Sequence, residues 1–282
     1  MTVNTIGVAG CGLMGSGIAQ VSAQAGYRTI VREIDDATAE AGRARIDKFL
    51  SAGVERGKVT PEQRDATLGN LTVTSRVEDL AGCDLVIEAI VEQIDVKRDL
   101  FNALEPLVSP DTLFASNTSS LCITELASAT GRPDRFVGIH FFSPVPIMKL
   151  VEVIRGIETS DATYEAAMAF GRSVGKDPVT APDRPGFIAN RLLIPYLLDA
   201  IRAYESGAGS LEDIDKTMTL GMGHPMGPFT LLDFVGLDTT YYIAGIMYEE
   251  FREERFAPPP LLKRMVLAGR HGRKTGRGFY TY

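Results

Sequence analysis

The chain has 282 residues, 45% of them apolar, and a formal net charge of −7. This length fits one large domain or two ordinary ones with a sizeable core. The negative balance removes the global electrostatic case for nucleic acid, so a polyanionic ligand must be held by a local cluster. Three scattered cysteines, Cys11, Cys83 and Cys122, lack metal-type spacing. They point to free thiols in a reducing compartment, so no metal is expected and the cytoplasm is the expected location. The first strand begins almost at the start, so no secretory leader is expected. The longest apolar run, 192–198, contains Pro195 and is far too short to cross a bilayer, so no membrane partner is expected.

The opening stretch organises the rest. Residues 6–9 are a short apolar run, Gly10, Gly12 and Gly15 follow as G-x-G-x-x-G, and a helical pattern begins at Ile18. A strand turning tightly into a helix leaves the first helical N–H groups aimed at one spot, where the helix dipole also favours a pyrophosphate. Gly10 permits the turn, Gly12 lets backbone approach the phosphates, and Gly15 lets helix and strand pack closely. A second strand, 28–32, ends at Glu33, an acid at the spacing expected for the adenosine ribose hydroxyls. A carboxylate there repels a 2′-phosphate and favours NAD over NADP, although neighbouring Arg32 is a group able to accept that phosphate.

Residues 36–57 have helical periodicity, and Thr60-Pro61-Glu62-Gln63 reads as a capped helix start. Together they predict a helical hairpin inserted into a strand–helix alternation. Its basic residues, Arg43, Arg45, Lys48, Arg56 and Lys58, read on periodicity and charge as a solvated face. Strands follow at 71–74 and 85–90, the latter near-continuously apolar as a buried parallel strand should be. Glu88 and Glu92 stand at its carboxyl end, where open α/β sheets bind ligands. A helix is predicted over 97–107 and a strand over 112–115. That strand runs into Ser116-Asn117-Thr118-Ser119-Ser120, either a capped turn or a ligand-positioning loop.

Residues 136–142 form a strand containing His140, Pro144-Val145-Pro146 a turn, and 150–154 a return strand containing Glu152. Antiparallel pairing about position 146 sets His140 directly opposite Glu152, with Cβ atoms roughly 5 Å apart. Such a carboxylate orients the ring and raises its proton affinity. A helix at 163–174 precedes the proline-bearing segment 177–183, and Arg184-Pro185-Gly186 marks the domain boundary. Beyond it strand signals stop. Helices are predicted at 187–204, with Asn190 near its beginning, at 210–221 behind a capping box at Ser210–Asp213, and at 227–235, 238–252 and 259–267, before an extended tail with Lys274 free to reach back. His224 and His271 lack an orienting carboxylate and read as structural. The abundance of apolar side chains in these last 98 or so residues suggests burial against a partner.

The segments GCGLMGSGIAQ, DLVIEAIVE, FASNTSSL, HFFSPVPIMKLVEVI, PGFIANRLLIPYL, DFVGLD and GRKTGRGFY, in this order, resemble the short two-domain 3-hydroxyacyl-CoA dehydrogenases, including those acting on 3-hydroxybutyryl-CoA. The resemblance implies an α/β Rossmann-type doubly wound parallel sheet with an inserted helical hairpin over 1–184, then an all-α domain over 185–282 that carries dimerisation and substrate contacts. It implies reversible oxidation of an (S)-3-hydroxyacyl-CoA to the 3-ketoacyl-CoA with NAD. Catalytic positions fall on His140, its partner Glu152, Ser119 and Asn190. Cofactor positions fall on Gly10, Cys11, Gly12, Leu13, Met14, Gly15, Glu33, Glu92, Lys97, Ser119 and Lys274. Substrate CoA positions fall on Ser51, Lys58, Ser119 and Asn190, which gives the basic hairpin face a use. Two positions depart from the commonest pattern. Glu33 replaces the usual Asp, and Ser143 replaces an Asn, so the contact near the nicotinamide is lost or bridged by water.

Overall fold

The computed structural model describes residues 3–282. The chain forms two compact units, one ending at Asp183 and the other beginning at Arg184. In the first, strands β1 (Thr5–Ala9), β2 (Arg28–Arg32), β3 (Leu71–Thr74), β4 (Leu85–Glu88), β5 (Leu113–Ser116), β6 (Phe136–Phe141), β7 (Leu150–Arg155) and β8 (Asp177–Pro182) make one sheet in the order β3-β2-β1-β4-β5-β6-β7-β8. The first six run parallel. β7 returns antiparallel to β6, and β8 is parallel to β7. β4 and β6 are buried along their whole lengths, as strands covered on both faces must be.

The helices cover the sheet by burying apolar stripes. Helix α1 (Leu13–Gln24) follows β1 directly. Gly10 has φ +97°, and a Cβ on Gly15 would lie 1.9 Å from the Gly10 carbonyl oxygen. The turn therefore needs one glycine for its backbone and another for closeness. Helix α2 (Asp36–Glu55) is capped by Asp35, whose Oδ1 accepts the Thr38 N–H at 2.7 Å. It buries Ala39, Gly42, Ile46 and Leu50. Helix α3 (Pro61–Gly69) carries the reciprocal Thr60–Gln63 capping box read from its sequence. Helices α4 (Ile94–Leu104), α5 (Ile123–Ala127) and α6 (Asp161–Ser173) complete the unit.

The second unit is helical: α7 (Ala189–Glu205), α8 (Leu211–Lys216), α9 (Pro228–Val235), α10 (Leu237–Phe251) and α11 (Pro260–Leu267) enclose a core including Leu197, Leu198, Ile201, Phe229, Leu232 and Met247. Several expectations need correction. The proline-bearing segment, for which no element was predicted, forms strand β8. The predicted helix over 210–221 breaks after Lys216 into a π-helical turn, Thr217–Gly221. Ser210 caps α8 by accepting the Asp213 N–H, but its hydroxyl donates to the Asp213 carboxylate, so no reciprocal box forms. The tail is folded, not extended. Arg273–Thr275 form a 3₁₀ turn and the Lys274 ammonium is held by Asp238 at 2.7 Å. Among the described residues no helix is long and apolar enough to cross a membrane, and no cluster of His, Cys, Asp and Glu could hold a metal.

Candidate active site

Because β1 to β6 are parallel, their carboxyl ends share one edge of the sheet. The glycine turn follows β1, Glu33 follows β2, Glu88 ends β4, the serine-rich loop follows β5, and His140 stands one residue before the end of β6. The turn is braced from two sides. The Gly10 N–H donates to the Arg32 carbonyl at 2.8 Å, and Arg45 of α2 donates to the Cys11 carbonyl at 2.7 Å. Glu33 accepts the Cys11 N–H at 2.5 Å and the Ile34 N–H at 3.1 Å. Burial, then the Glu33 charge, pushes the Cys11 thiol up to about 11. No side chain caps α1, its first turn has no acid, and a Cβ on Gly12 would meet nothing within 4 Å. Open backbone with unused N–H groups at a helix start fits the pyrophosphate of a dinucleotide. Leu13 is exposed and Met14 half-buried beside it.

Beneath the serine-rich loop lies a charged cluster. The side chain of Lys97 is only 1% exposed and its Nζ reaches Glu88 Oε1 at 2.5 Å and Glu92 Oε2 at 3.1 Å. Glu88 also accepts the Ser116 hydroxyl at 2.6 Å and the Ile90 N–H at 2.7 Å. Burial pushes the Glu88 carboxyl above the usual range, against the pull of Lys97, Ser116 and Ile90. Glu92 gathers the loop: its Oε1 accepts the Thr118 hydroxyl at 2.5 Å, the Ser119 N–H at 3.0 Å and the Ser120 hydroxyl at 3.3 Å. Burial alone would raise Glu92, but Lys97 and these donors outweigh it and hold its carboxyl below the usual range. The structure thus sets Lys97 under the site, with Glu92 between it and solvent.

The β6–β7 register pairs His140 with Glu152, and His140 Nδ1 lies 2.7 Å from Glu152 Oε2. Glu152 is fully buried and His140 is 6% exposed. The ring rests against Phe142, 4.6 Å between centroids. Beyond the last β5–β6 pair, Asn117 Oδ1 accepts the Phe141 N–H at 2.9 Å and ties the serine-rich loop to the histidine strand. Lys176 donates to the Val145 and Met148 carbonyls at 2.5 and 2.9 Å and clamps the β6–β7 turn, which contains half-buried Ser143. Neither Asn117 nor Lys176 stands out in the sequence. Asn117 lies among five small polar residues, and Lys176 follows a glycine like an ordinary helix-end lysine.

The other expected positions lie apart from this edge or in the second unit. Ser51 of α2 donates to Asp47 at 3.1 Å and accepts from Arg64 Nε at 3.0 Å, and Lys58 is exposed between α2 and α3. Arg64 is the member of this group that periodicity did not single out. Asn190 is half-buried in the first turn of α7.

A parallel-sheet unit with an open glycine turn at one strand end and a carboxylate-held imidazole at another defines a nicotinamide-dependent dehydrogenase. Residues 5–184 match the model for the NAD-binding domain of 3-hydroxyacyl-CoA dehydrogenase, and 186–282 match that for its C-terminal domain. The chain belongs to the 3-hydroxyacyl-CoA dehydrogenase family. It is 50% identical to a 3-hydroxybutyryl-CoA dehydrogenase of Mycobacterium tuberculosis over 282 residues, covering 99% of each chain. It is 47% identical to the mitochondrial hydroxyacyl-coenzyme A dehydrogenase of Homo sapiens, covering 99% of this chain and 91% of that one. The crystal structure of (S)-3-hydroxybutyryl-CoA dehydrogenase from Ralstonia eutropha superposes with a TM-score of 0.96 at 41% identity, covering 100% of this chain and 99% of that one. The chain is therefore an NAD-binding 3-hydroxyacyl-CoA dehydrogenase.

Proposed function

We propose that this chain interconverts an (S)-3-hydroxyacyl-CoA, foremost 3-hydroxybutyryl-CoA, and the corresponding 3-ketoacyl-CoA, with His140 as general base and acid. The observation that carries this reading is the 2.7 Å contact between His140 Nδ1 and Glu152 Oε2 at the carboxyl end of a parallel strand. With Nδ1 turned toward Glu152, Nε2 is the ring nitrogen that takes the 3-hydroxyl proton in this reading. Glu152 then holds the imidazolium in place, and in the reverse direction Nε2 returns the proton. NAD, when bound, accepts the hydride that leaves C3. Ser119 and Asn190 hydrogen-bond the reacting oxygen or the thioester carbonyl and orient C3. The first N–H groups of α1 bind pyrophosphate, Glu33 the ribose hydroxyls, and Glu92, Ser143 and Lys274 further cofactor groups. Lys97 serves the same site through Glu92. Ser51 and Lys58 hold the CoA nucleotide.

A rival reading, oxidation of a small free hydroxy acid, leaves Ser51 and Lys58 without a ligand. The test follows reduced-nicotinamide absorbance with acetoacetyl-CoA, longer 3-ketoacyl-CoAs and free acetoacetate, using NADH and NADPH in parallel. The expected result is rapid NADH oxidation with thioesters and little with the free acid. A chain that binds NADH and turns over no ketoacyl-CoA overturns the reading. We also propose a homodimer in the cytoplasm. On the second unit Leu192, Leu220, Met222 and Leu267 are 64–78% exposed, apolar side chains that a second copy would cover. Sedimentation giving a monomer at micromolar concentration would contradict the dimer.

A further inference from the structure

We propose that Glu88, which touches no ligand in the reading above, biases the nicotinamide site toward the oxidised cofactor through its charge. The inference rests on that reading only in placing nicotinamide at the carboxyl edge of the sheet. Glu88 pairs in register with Ala9, immediately before the glycine turn. The next residue presses on that turn: a Cβ on Gly10 would lie 2.6 Å from the Ala89 carbonyl oxygen. The cluster is therefore part of the cofactor edge. Glu88 is fully buried, and its recorded partners are all donors: the Lys97 ammonium, the Ile90 N–H and the Ser116 hydroxyl. The Ser116 oxygen in turn accepts the Thr118 N–H at 3.2 Å, which leaves its proton for Glu88. Burial works against the charged form, but the Lys97 ammonium at 2.5 Å and two further donors stabilise it, and we take the Glu88–Lys97 pair as ionic.

Glu88, Glu92 and Lys97 together then carry one net negative charge. Oxidised nicotinamide is a cation and reduced nicotinamide is neutral, so a fixed negative charge nearby favours the oxidised ring. The structural work of Glu88, orienting Lys97 and so Glu92, serves both forms alike. The charge does not, and the ratio of the two dissociation constants separates them.

Glu88→Gln removes the charge and keeps the shape. NADH binding is read by its own fluorescence and NAD+ binding by calorimetry. The Kd(NAD+)/Kd(NADH) ratio is expected to rise about 5-fold, the size Coulomb's law gives for one charge at the edge of a low-dielectric site. Glu92→Gln, at a partly exposed position, removes the same charge and is expected to shift the ratio in the same sense even if Glu88→Gln does not fold. The double variant Glu88→Gln with Lys97→Met restores one net negative charge and is expected to return the ratio to the wild-type value. An unchanged ratio in the folded single variants, or a double variant that stays shifted, overturns the proposal. Wild-type protein that binds neither form would instead overturn the placement of the cofactor.

Discussion

The two units differ in the chief partners of their most buried carboxylates. In the second, Asp215 accepts the Phe229 and Thr230 N–H groups and the Thr230 hydroxyl at 2.6–3.0 Å. Asp233 accepts the Phe279 and Tyr280 N–H groups, both at 2.8 Å, and fastens the tail. In the first, Glu152 faces an imidazole and Glu88 an ammonium. A backbone N–H cannot give up its proton, so those bonds fix geometry, and the Tyr280 and Tyr282 hydroxyls that reach Asp215 and Asp233 at 3.2 Å are held protonated by burial and the neighbouring carboxylates. A carboxylate on a titratable side chain controls where a proton or a charge resides. Both kinds cost desolvation, but only the second can act in a reaction.

The comparison is broken most severely at His140. His140→Asn is expected to lower turnover of acetoacetyl-CoA by roughly 100-fold or more while NADH still binds. Turnover at the wild-type rate would remove His140 from the chemistry. Glu152→Gln keeps the hydrogen bond but not the counter-charge. Turnover of hydroxyacyl-CoA is then expected to fall by roughly 10-fold or more with NADH binding unchanged, because the imidazolium formed during the reaction has lost its carboxylate. Turnover at the wild-type rate would mean that Glu152 only positions the ring.

Much of this site was legible in the sequence because it depends on short-range rules. The hairpin is symmetric about position 146, and period-two geometry alone sets residues 140 and 152 opposite each other. The burial of Lys97 was not legible because the predicted helix start, at 97, falls three residues late. A helix beginning at 97 leaves its first residue in solvent. The helix begins at Ile94, which sets Lys97 on the buried stripe with Leu100, Phe101 and Leu104. β8 was hidden by Pro178 and Pro182, residues that argue against a strand except at a sheet edge, which is where β8 lies. The folded tail was illegible in principle, since its backbone donors meet Asp233 from 46 and 47 residues away.

On the structural side of the comparison, Asp215→Ala leaves two backbone N–H groups and the Thr230 and Tyr280 hydroxyls without their acceptor. The expected loss is about 2–4 kcal/mol, measured as a lower urea midpoint for the second unit. NADH affinity of the folded protein should not change. A change in affinity with no loss of stability would place Asp215 with the functional carboxylates and dissolve the distinction.

The smallest effect concerns Cys11, which tests whether position at the strand edge is enough to activate a titratable group. Cys11 lies inside the glycine turn, yet burial, then the Glu33 charge, pushes its thiol up to about 11, with Arg45 pulling only weakly the other way. Burial pushes Cys83 up to about 12, and half-buried Cys122 is raised by burial and Asp183. A raised thiol holds very little thiolate at pH 8, and thiolate is the reactive form. Native protein with an aromatic disulfide reagent is therefore expected to release at most one equivalent, slowly, and that equivalent is lost in Cys122→Ser. Rapid labelling of Cys11 at pH 8 would show the turn to be electropositive and open enough to activate whatever stands in it. Its silence would mean that a strand-end group acquires chemistry only with a charged partner of the opposite kind, as His140 does with Glu152.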